Sequence, residues 1–140
     1  MSSAHAECFA CGDRNVRGLH LEFRPAGMSR VSAEGKLGEE YQGYPGLVQG
    51  GIVATLLDSA MTNCLFADGI EAMTVRLNVR FREPVVVNRW MTVAACLVRR
   101  RGRFYELEAS VLQNGRQKAT AEGRFIGDKG RRVVEVGDNC

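Results

Sequence analysis

The chain has 140 residues, 45% hydrophobic and 25% charged. That is an ordinary globular mix, which points to one domain with a real core and excludes a low-complexity or disordered protein. Its net charge of +3, from 19 basic and 16 acidic residues, is too mild to argue for nucleic acid, though it allows a local basic patch for a phosphorylated small molecule.

Met1 to Glu7 carry no apolar stretch, and no run approaches the roughly 18 apolar residues that span a bilayer. A soluble, cytoplasmic protein with no nucleic-acid or membrane partner is therefore expected. Residues 1–17 are polar and turn-rich, an N-terminal segment before a main domain over 18–127. Within that segment Cys8 and Cys11 form a single CxxC, with His5 and His20 nearby. Four such donors suit a tetrahedral metal, but a zinc ribbon needs a second cysteine pair. Packing or turn roles are expected instead, and neither a metal nor a cofactor is assigned. Five cysteines cannot all pair within one chain; Cys64 and Cys96 read as small buried hydrophobes.

Leu19, Leu21 and Phe23 alternate with His20, Glu22 and Arg24, a period of two that predicts a half-buried strand. A turn near Pro25 to Met28 leads to Val31 and Ala33, completing a hairpin. Glu40 to Gln49 is irregular because of Gly43, Pro45 and Gly46. From Gly51 to about Ala67, apolar residues recur at helical spacing on more than one face, predicting a buried helix roughly 25 Å long. Gly69 is placed to end it. Met73, Val75, Leu77, Val79 and Phe81 then alternate with Thr74, Arg76, Asn78 and Arg80. Trp90 to Val98, Phe104 to Leu112 and Lys118 to Ile126 follow as strands. Gly102 links the first two, and the Asn114-Gly115 hairpin signal links the last two. Residues 128–140 read as a charged, loose tail.

Two strands, one buried helix and four strands make an α+β layer structure, with a curved antiparallel sheet wrapped around one central helix. Such a sheet leaves an edge to manage, and pairing of two chains is a natural remedy.

Between Glu40 and Asp68 the only charged residue is Asp58. A lone carboxylate in an apolar helix costs several kcal/mol unless paired or hydrogen-bonded. Thr55 and Thr62 share its face and offer a purely structural explanation. The functional reading is a carboxylate held in a cleft to activate water or attack an electrophile. Gly50 and Gly51 supply the complement, because glycines at a helix start leave N–H groups accessible to an anion or a developing oxyanion. Gly50 and Asp58 lie eight residues apart, about 12 Å along a helix axis. One reacting carbonyl cannot touch both in the same chain, so a shared site requires two chains.

The run Gln49-Gly50-Gly51-Ile52-Val53-Ala54-Thr55-Leu56-Leu57-Asp58 resembles the HGG-x-x-x-T-L-x-D signature of the phenylacetyl-CoA-type (PaaI-like) hotdog thioesterases. The opening Cys8-x-x-Cys11-Gly12-x-x-Asn15-x-x-Gly18-Leu19 also resembles the start of a branch of that superfamily, and Arg80-Phe81-Arg82-Glu83-Pro84 matches its usual strand end. The resemblance covers about residues 8–127. It implies a hotdog fold, a homodimer or dimer of dimers, and hydrolysis of acyl-CoA or acyl-carrier-protein thioesters without a cofactor. On that pattern Asp58 is the nucleophile or general base, and the Gly50 N–H of a second chain polarises the thioester carbonyl. Thr74 orients water, and Gln42 or Gly43 lies near the thioester. Gln49 replaces the family's histidine and cannot carry a proton at neutral pH, which counts against a hydratase and keeps a non-catalytic acyl-thioester binder as the alternative. Arg76, Arg80 and Arg82, which share one strand face, and the arginines at 99–103 are candidates for coenzyme A phosphates. Met61, Phe66, Met73 and Trp90 are candidates for an acyl pocket.

Overall fold

In the computed structural model, which describes residues 3–135, the long apolar run that carries Asp58 as its one charge forms helix α1 (Gly50–Ala67). The helix starts one residue earlier than expected because Gln49 caps it: its Oε1 accepts from the Ile52 N–H at 3.0 Å. It ends where Gly69 adopts φ +77°. There the Ile70 N–H reaches the Leu65 carbonyl and the Gly69 N–H reaches Phe66, both at 3.0 Å. These two bonds satisfy carbonyls that the last turn would otherwise leave open.

Five antiparallel strands cover α1: β1 (Arg24–Pro25), β2 (Arg30–Gly35), β3 (Met73–Phe81), β4 (Met91–Gln113) and β5 (Arg116–Glu135), in the order β1-β2-β4-β5-β3. Leu56, Leu57, Met61 and Leu65 of α1 are fully buried against this sheet. Each contributes roughly 1.5–3 kcal/mol of apolar burial. By length and a mean hydropathy of 1.3, α1 is sufficient to cross a membrane, contrary to the expectation that no run comes close. Its packing under the sheet makes it the core helix instead.

The sheet makes room for the helix with small side chains. On β5, Ala119, Ala121 and Gly123 face inward ahead of Phe125. A Cβ added to Gly123 would lie 2.7 Å from Met61 Sδ and 2.9 Å from Phe125 Cε1, closer than real contacts allow. Gly123 thus lets Met61 seat directly on the strand backbone.

Strand β4 contains the two expected strands in one continuous run. Arg99 Nε lies 3.9 Å from Glu106 Oε2, although seven residues of straight strand would separate them by about 23 Å. The chain therefore doubles back at Gly102, φ +60°. Asn114 (φ +52°) and Gly115 (φ +74°) make the predicted tight turn into β5.

Two boundaries differ from expectation. Leu19 to Phe23 alternate in burial but form no strand, and β1 is only Arg24–Pro25. The Leu19 and Leu21 N–H groups are spent on the Phe9 and Ala10 carbonyls, and His20 sits at φ +54°. At the other end β5 passes Gly127 and runs to Glu135, pairing with Arg99 and Arg100 of β4. The rest of the expected tail, 136–140, lies outside the described residues.

Candidate active site

Strand β3 sits at the sheet edge and departs from strict alternation once. Thr74 pairs with Phe125 and Arg76 with Arg124, so Val75 is an extra residue between them, a β-bulge. Cross-strand partners share a face, and Phe125 is fully buried on the helix side. The bulge therefore turns Thr74 toward α1. Past it, Leu77, Val79 and Phe81 face inward opposite Gly123, Ala121 and Ala119. Met73 is thrown outward and is 75% exposed. The predicted pattern, with Met73 inward and Thr74 outward, is correct below the bulge and inverted above it.

Inverted, Thr74 meets Asp58. Its hydroxyl donates to Asp58 Oδ1 at 2.6 Å, the length expected when the acceptor is an ionised carboxylate. Asp58 is half-buried rather than buried, which lowers the cost of its charge. The two threonines that offered a structural explanation bond elsewhere: Thr55 to the Gly51 carbonyl at 2.9 Å, and Thr62 to the Asp58 backbone carbonyl at 3.0 Å. Asp58 Oδ1 is thus engaged from β3, and a carboxylate has further acceptor sites.

The N-terminus of α1 lies at the other end of β3. A Cβ on Gly50 would sit 3.7 Å from the Phe81 ring. Gln49 turns its side chain back onto the first turn of the helix. Gln42 Oε1 accepts from the Gly46 N–H at 2.9 Å, and the Gly43 N–H donates to Leu47 at 2.9 Å, so both organise the loop that leads into the helix. Gly51 is exposed at the helix start.

The sequence profile of the thioesterase superfamily matches residues 45–120, from the loop before α1 to the first residues of β5. The chain belongs to the thioesterase superfamily. The mouse protein named acyl-coenzyme A thioesterase THEM4 is 35% identical over 66 residues, 47% of this chain and 28% of that protein. The chain thus spans well under half the length of that relative. Among solved structures, a thioesterase superfamily protein superposes with a TM-score of 0.79 at 25% identity, covering 84% of this chain and 61% of the other. The Escherichia coli PaaI protein of the phenylacetic acid degradation operon gives 0.73 at 13% identity, covering 81% and 83%. A Streptococcus pneumoniae thioesterase solved with coenzyme A gives 0.73 at 16%, covering 79% and 90%. That protein was also solved with an aspartate, and separately a threonine, replaced by alanine. The helix wrapped by an antiparallel sheet is the hotdog fold of this thioesterase superfamily, as the sequence resemblance implied.

The remaining candidates fall into two groups. Arg76 and Arg80 lie on the outer face of β3, across the sheet from Asp58, opposite Arg124 and Thr120. Arg76 lines a cleft of about 230 Å³ shared with Glu106, Glu108 and Glu122, and Arg80 and Arg82 line a neighbouring one. Acidic side chains offset the expected basic patch there. Arg99 is paired with Glu106, and the Arg100 guanidinium stacks 5.3 Å from the Tyr105 ring centre. The four acyl-pocket candidates are not brought together. Met61 is in the core, Phe66 packs on His5, and Met73 and Trp90 are exposed.

Burial, with Asp68 nearby, pushes the Cys64 thiol up to about 12, so it is no nucleophile at neutral pH. The feature that sequence reasoning missed is the bulge at Val75. The only signal for it was that Thr74, assigned a role beside Asp58, stood on the strand face that alternation turns away from the helix.

Proposed function

We propose that this chain hydrolyses an acyl thioester of the coenzyme A type at sites shared between two copies of itself. The observation that carries the proposal is the 2.6 Å bond from Thr74 to Asp58, made by a bulge that re-aims one side chain. With Thr74 donating to Oδ1, the carboxylate is held in one orientation and keeps acceptor capacity for a water proton. The water oxygen attacks the thioester carbonyl carbon as Asp58 takes its proton. The carbonyl oxygen becomes an oxyanion held by the Gly50 N–H of the second copy. Collapse breaks the C–S bond, and the departing thiolate takes the proton back from Asp58.

The two-chain arrangement is supported by the edge strand. Val75 is 54% and Phe81 57% exposed, an apolar edge that an unpartnered sheet rarely leaves uncovered. Thr74 and Asp58 lie at one end of β3, and Phe81 and Gly50 at the other. A two-fold antiparallel pairing of β3 with its copy sets the start of one strand against the end of the other. That exchange brings Gly50 of one chain toward Asp58 of the next, which the roughly 12 Å along α1 prevents within one chain.

The substrate class is supported by the name of the mouse relative and by the coenzyme A complex of the pneumococcal protein. The aspartate and threonine replaced in that protein lie sixteen residues apart, the separation of Asp58 and Thr74 here. The proposal gives Arg76, Arg80 and Arg82 no part at the reacting carbonyl. Gln49 is occupied as a cap, and neither His5 nor His20 bonds to Asp58, so no proton-carrying imidazole enters the mechanism.

Free-thiol release across a panel of acyl-CoA substrates tests the reading. Release that disappears in Asp58→Asn, and in a verified monomer made by Val75→Glu with Phe81→Glu, is the expected result. Tight acyl-CoA binding with no release by the wild type would make the chain a binder. A fully active monomer would overturn the shared site.

A further inference from the structure

The N-terminal segment builds a second chemical constellation, separate from the Asp58–Thr74 pair. The donor atoms of His5, Cys8 and Cys11 all lie within 4.8 Å of one another. His20, the fourth donor considered from sequence, is exposed on the following segment and outside the cluster. The backbone is wound tightly to bring the three together. The Cys8 N–H donates to His5, the Gly12 N–H to Cys8 and the Arg14 N–H to Ala6, at 3.0, 2.8 and 2.9 Å. A Cβ on Gly12 would stand 2.4 Å from both the Ala6 carbonyl oxygen and the Cys8 nitrogen. No other residue fits that corner, so the Cys8-x-x-Cys11-Gly12 spacing is a built knuckle rather than a loop that happens to hold two cysteines.

We propose that His5, Cys8 and Cys11 bind a thiophilic divalent cation of the zinc class, with a water molecule in the fourth position. Zinc bonds of about 2.3 Å to sulfur and 2.1 Å to nitrogen, held at tetrahedral angles, place S and N about 3.6 Å apart and two sulfurs about 3.8 Å apart. Cys11 Sγ and His5 Nδ1 are 3.5 Å apart. A lone hydrogen bond between them would account for that distance but not for the convergence of Cys8.

The surroundings fit a bound cation too. The His5 ring packs on Phe66 of α1, with centroids 4.3 Å apart, which fixes its orientation. Asn63, one turn earlier, points its Nδ2 at Cys11 Sγ from 3.5 Å while also donating to the Ser59 carbonyl at 2.8 Å. An N–H aimed at sulfur is the outer-shell support that metal-bound thiolates receive. Cys8 and His5 are only partly buried, leaving an entry path and room for the water. With Asn63 and Phe66 both on α1, the cation would pin residues 5–12 to the second half of the core helix.

The test uses the whole chain, reduced, stripped with a chelator and titrated with Co²⁺. The expected result is one equivalent bound, with sulfur-to-cobalt charge-transfer bands, the visible spectrum of a tetrahedral site, and displacement by Zn²⁺. Asn63→Leu keeps all three ligands and should weaken binding about 10- to 100-fold. Cys8→Ser with Cys11→Ser should abolish the charge-transfer bands, with circular dichroism confirming the fold. Wild type that shows no such bands would overturn the proposal, whatever the variants do. So would bands that persist in the folded double cysteine variant, or a Cys8–Cys11 disulfide that survives reductant and blocks binding.

Discussion

The two sides of α1 are made of the same kind of sequence and do different work. Toward the sheet, Leu56, Leu57, Met61 and Leu65 have no exposure at all. Toward the edge, Thr55, Asp58 and Thr62 are half-buried, and what organises them is hydrogen bonding rather than packing. The first side should respond to changes of volume and the second to changes of chemistry. A residue can therefore sit in the core helix and matter little for stability, provided it lies on the second side.

The sharpest way to break this contrast is Asp58→Asn. Asparagine keeps the shape and an acceptor for Thr74 but cannot take a proton, so thioester turnover should fall by about 10²- to 10⁴-fold. Thermal stability should fall by no more than about 1.5 kcal/mol, the difference between a charge-assisted hydrogen bond and a neutral one. Steady-state kinetics beside a melting curve reads both, and a large loss of stability with the loss of activity would erase the distinction. Leu56→Ala probes the other side. It should cost about 2–5 kcal/mol in denaturant unfolding while leaving kcat of the folded fraction within a few-fold. Gly123→Val tests the same side from the sheet: overpacking against Met61 and Phe125 should cost about 1–3 kcal/mol, and a neutral result would mean that Met61 moves aside freely.

The smallest effect is expected off the helix altogether. Glu83 receives Arg116 Nη2 at 2.7 Å and Lys118 Nζ at 3.2 Å. The Arg116 guanidinium, with Lys118, holds its carboxyl below the usual carboxylate range. Stability from this group is present above the unfolded glutamate value of about 4.3 and is lost as pH falls through the lower folded value. Wild type should therefore melt slightly above Glu83→Gln at neutral pH. The gap should close on acidification and shrink with added salt. A gap that widened at low pH would reverse the sign of the argument.

Most of the architecture was legible in the sequence. The long apolar run, its flanking glycines and the Asn114-Gly115 pair are local signals, and local hydrogen bonds at Gln49, Gly69 and the tight turn carry them out. The single charge in that run marked Asp58 without any knowledge of its neighbours. What could not be read was contact between distant segments. Met73 and Thr74 fit either face of a strand, so an extra residue at Val75 leaves no trace in the pattern. Leu19 to Phe23 look like a strand because they alternate in burial, yet their N–H groups are taken by Phe9 and Ala10. The approach of Asn63 to Cys11, fifty-two residues apart in the chain, belongs to tertiary structure alone. The acidic neighbours of Arg76, Arg80 and Arg82 were hidden for the same reason, since Glu106, Glu108 and Glu122 arrive from other strands.

The bulge at Val75 divides one strand into two phases. From Leu77 to Phe81 its rhythm is set by the core; at Thr74 it is set by the carboxylate. Deleting Val75 would leave Thr74 opposite Phe125 on the helix side, with Arg76 following directly opposite Arg124; with Val75 present, a regular ladder would turn the hydroxyl to the far side of the sheet, and only the bulge keeps it beside Asp58. The chemistry of this edge is thus written partly in the parity of a residue count. That is a form of information which substitutions at the two polar positions leave intact, because it is held in the pairing of β3 with β5 rather than in either side chain.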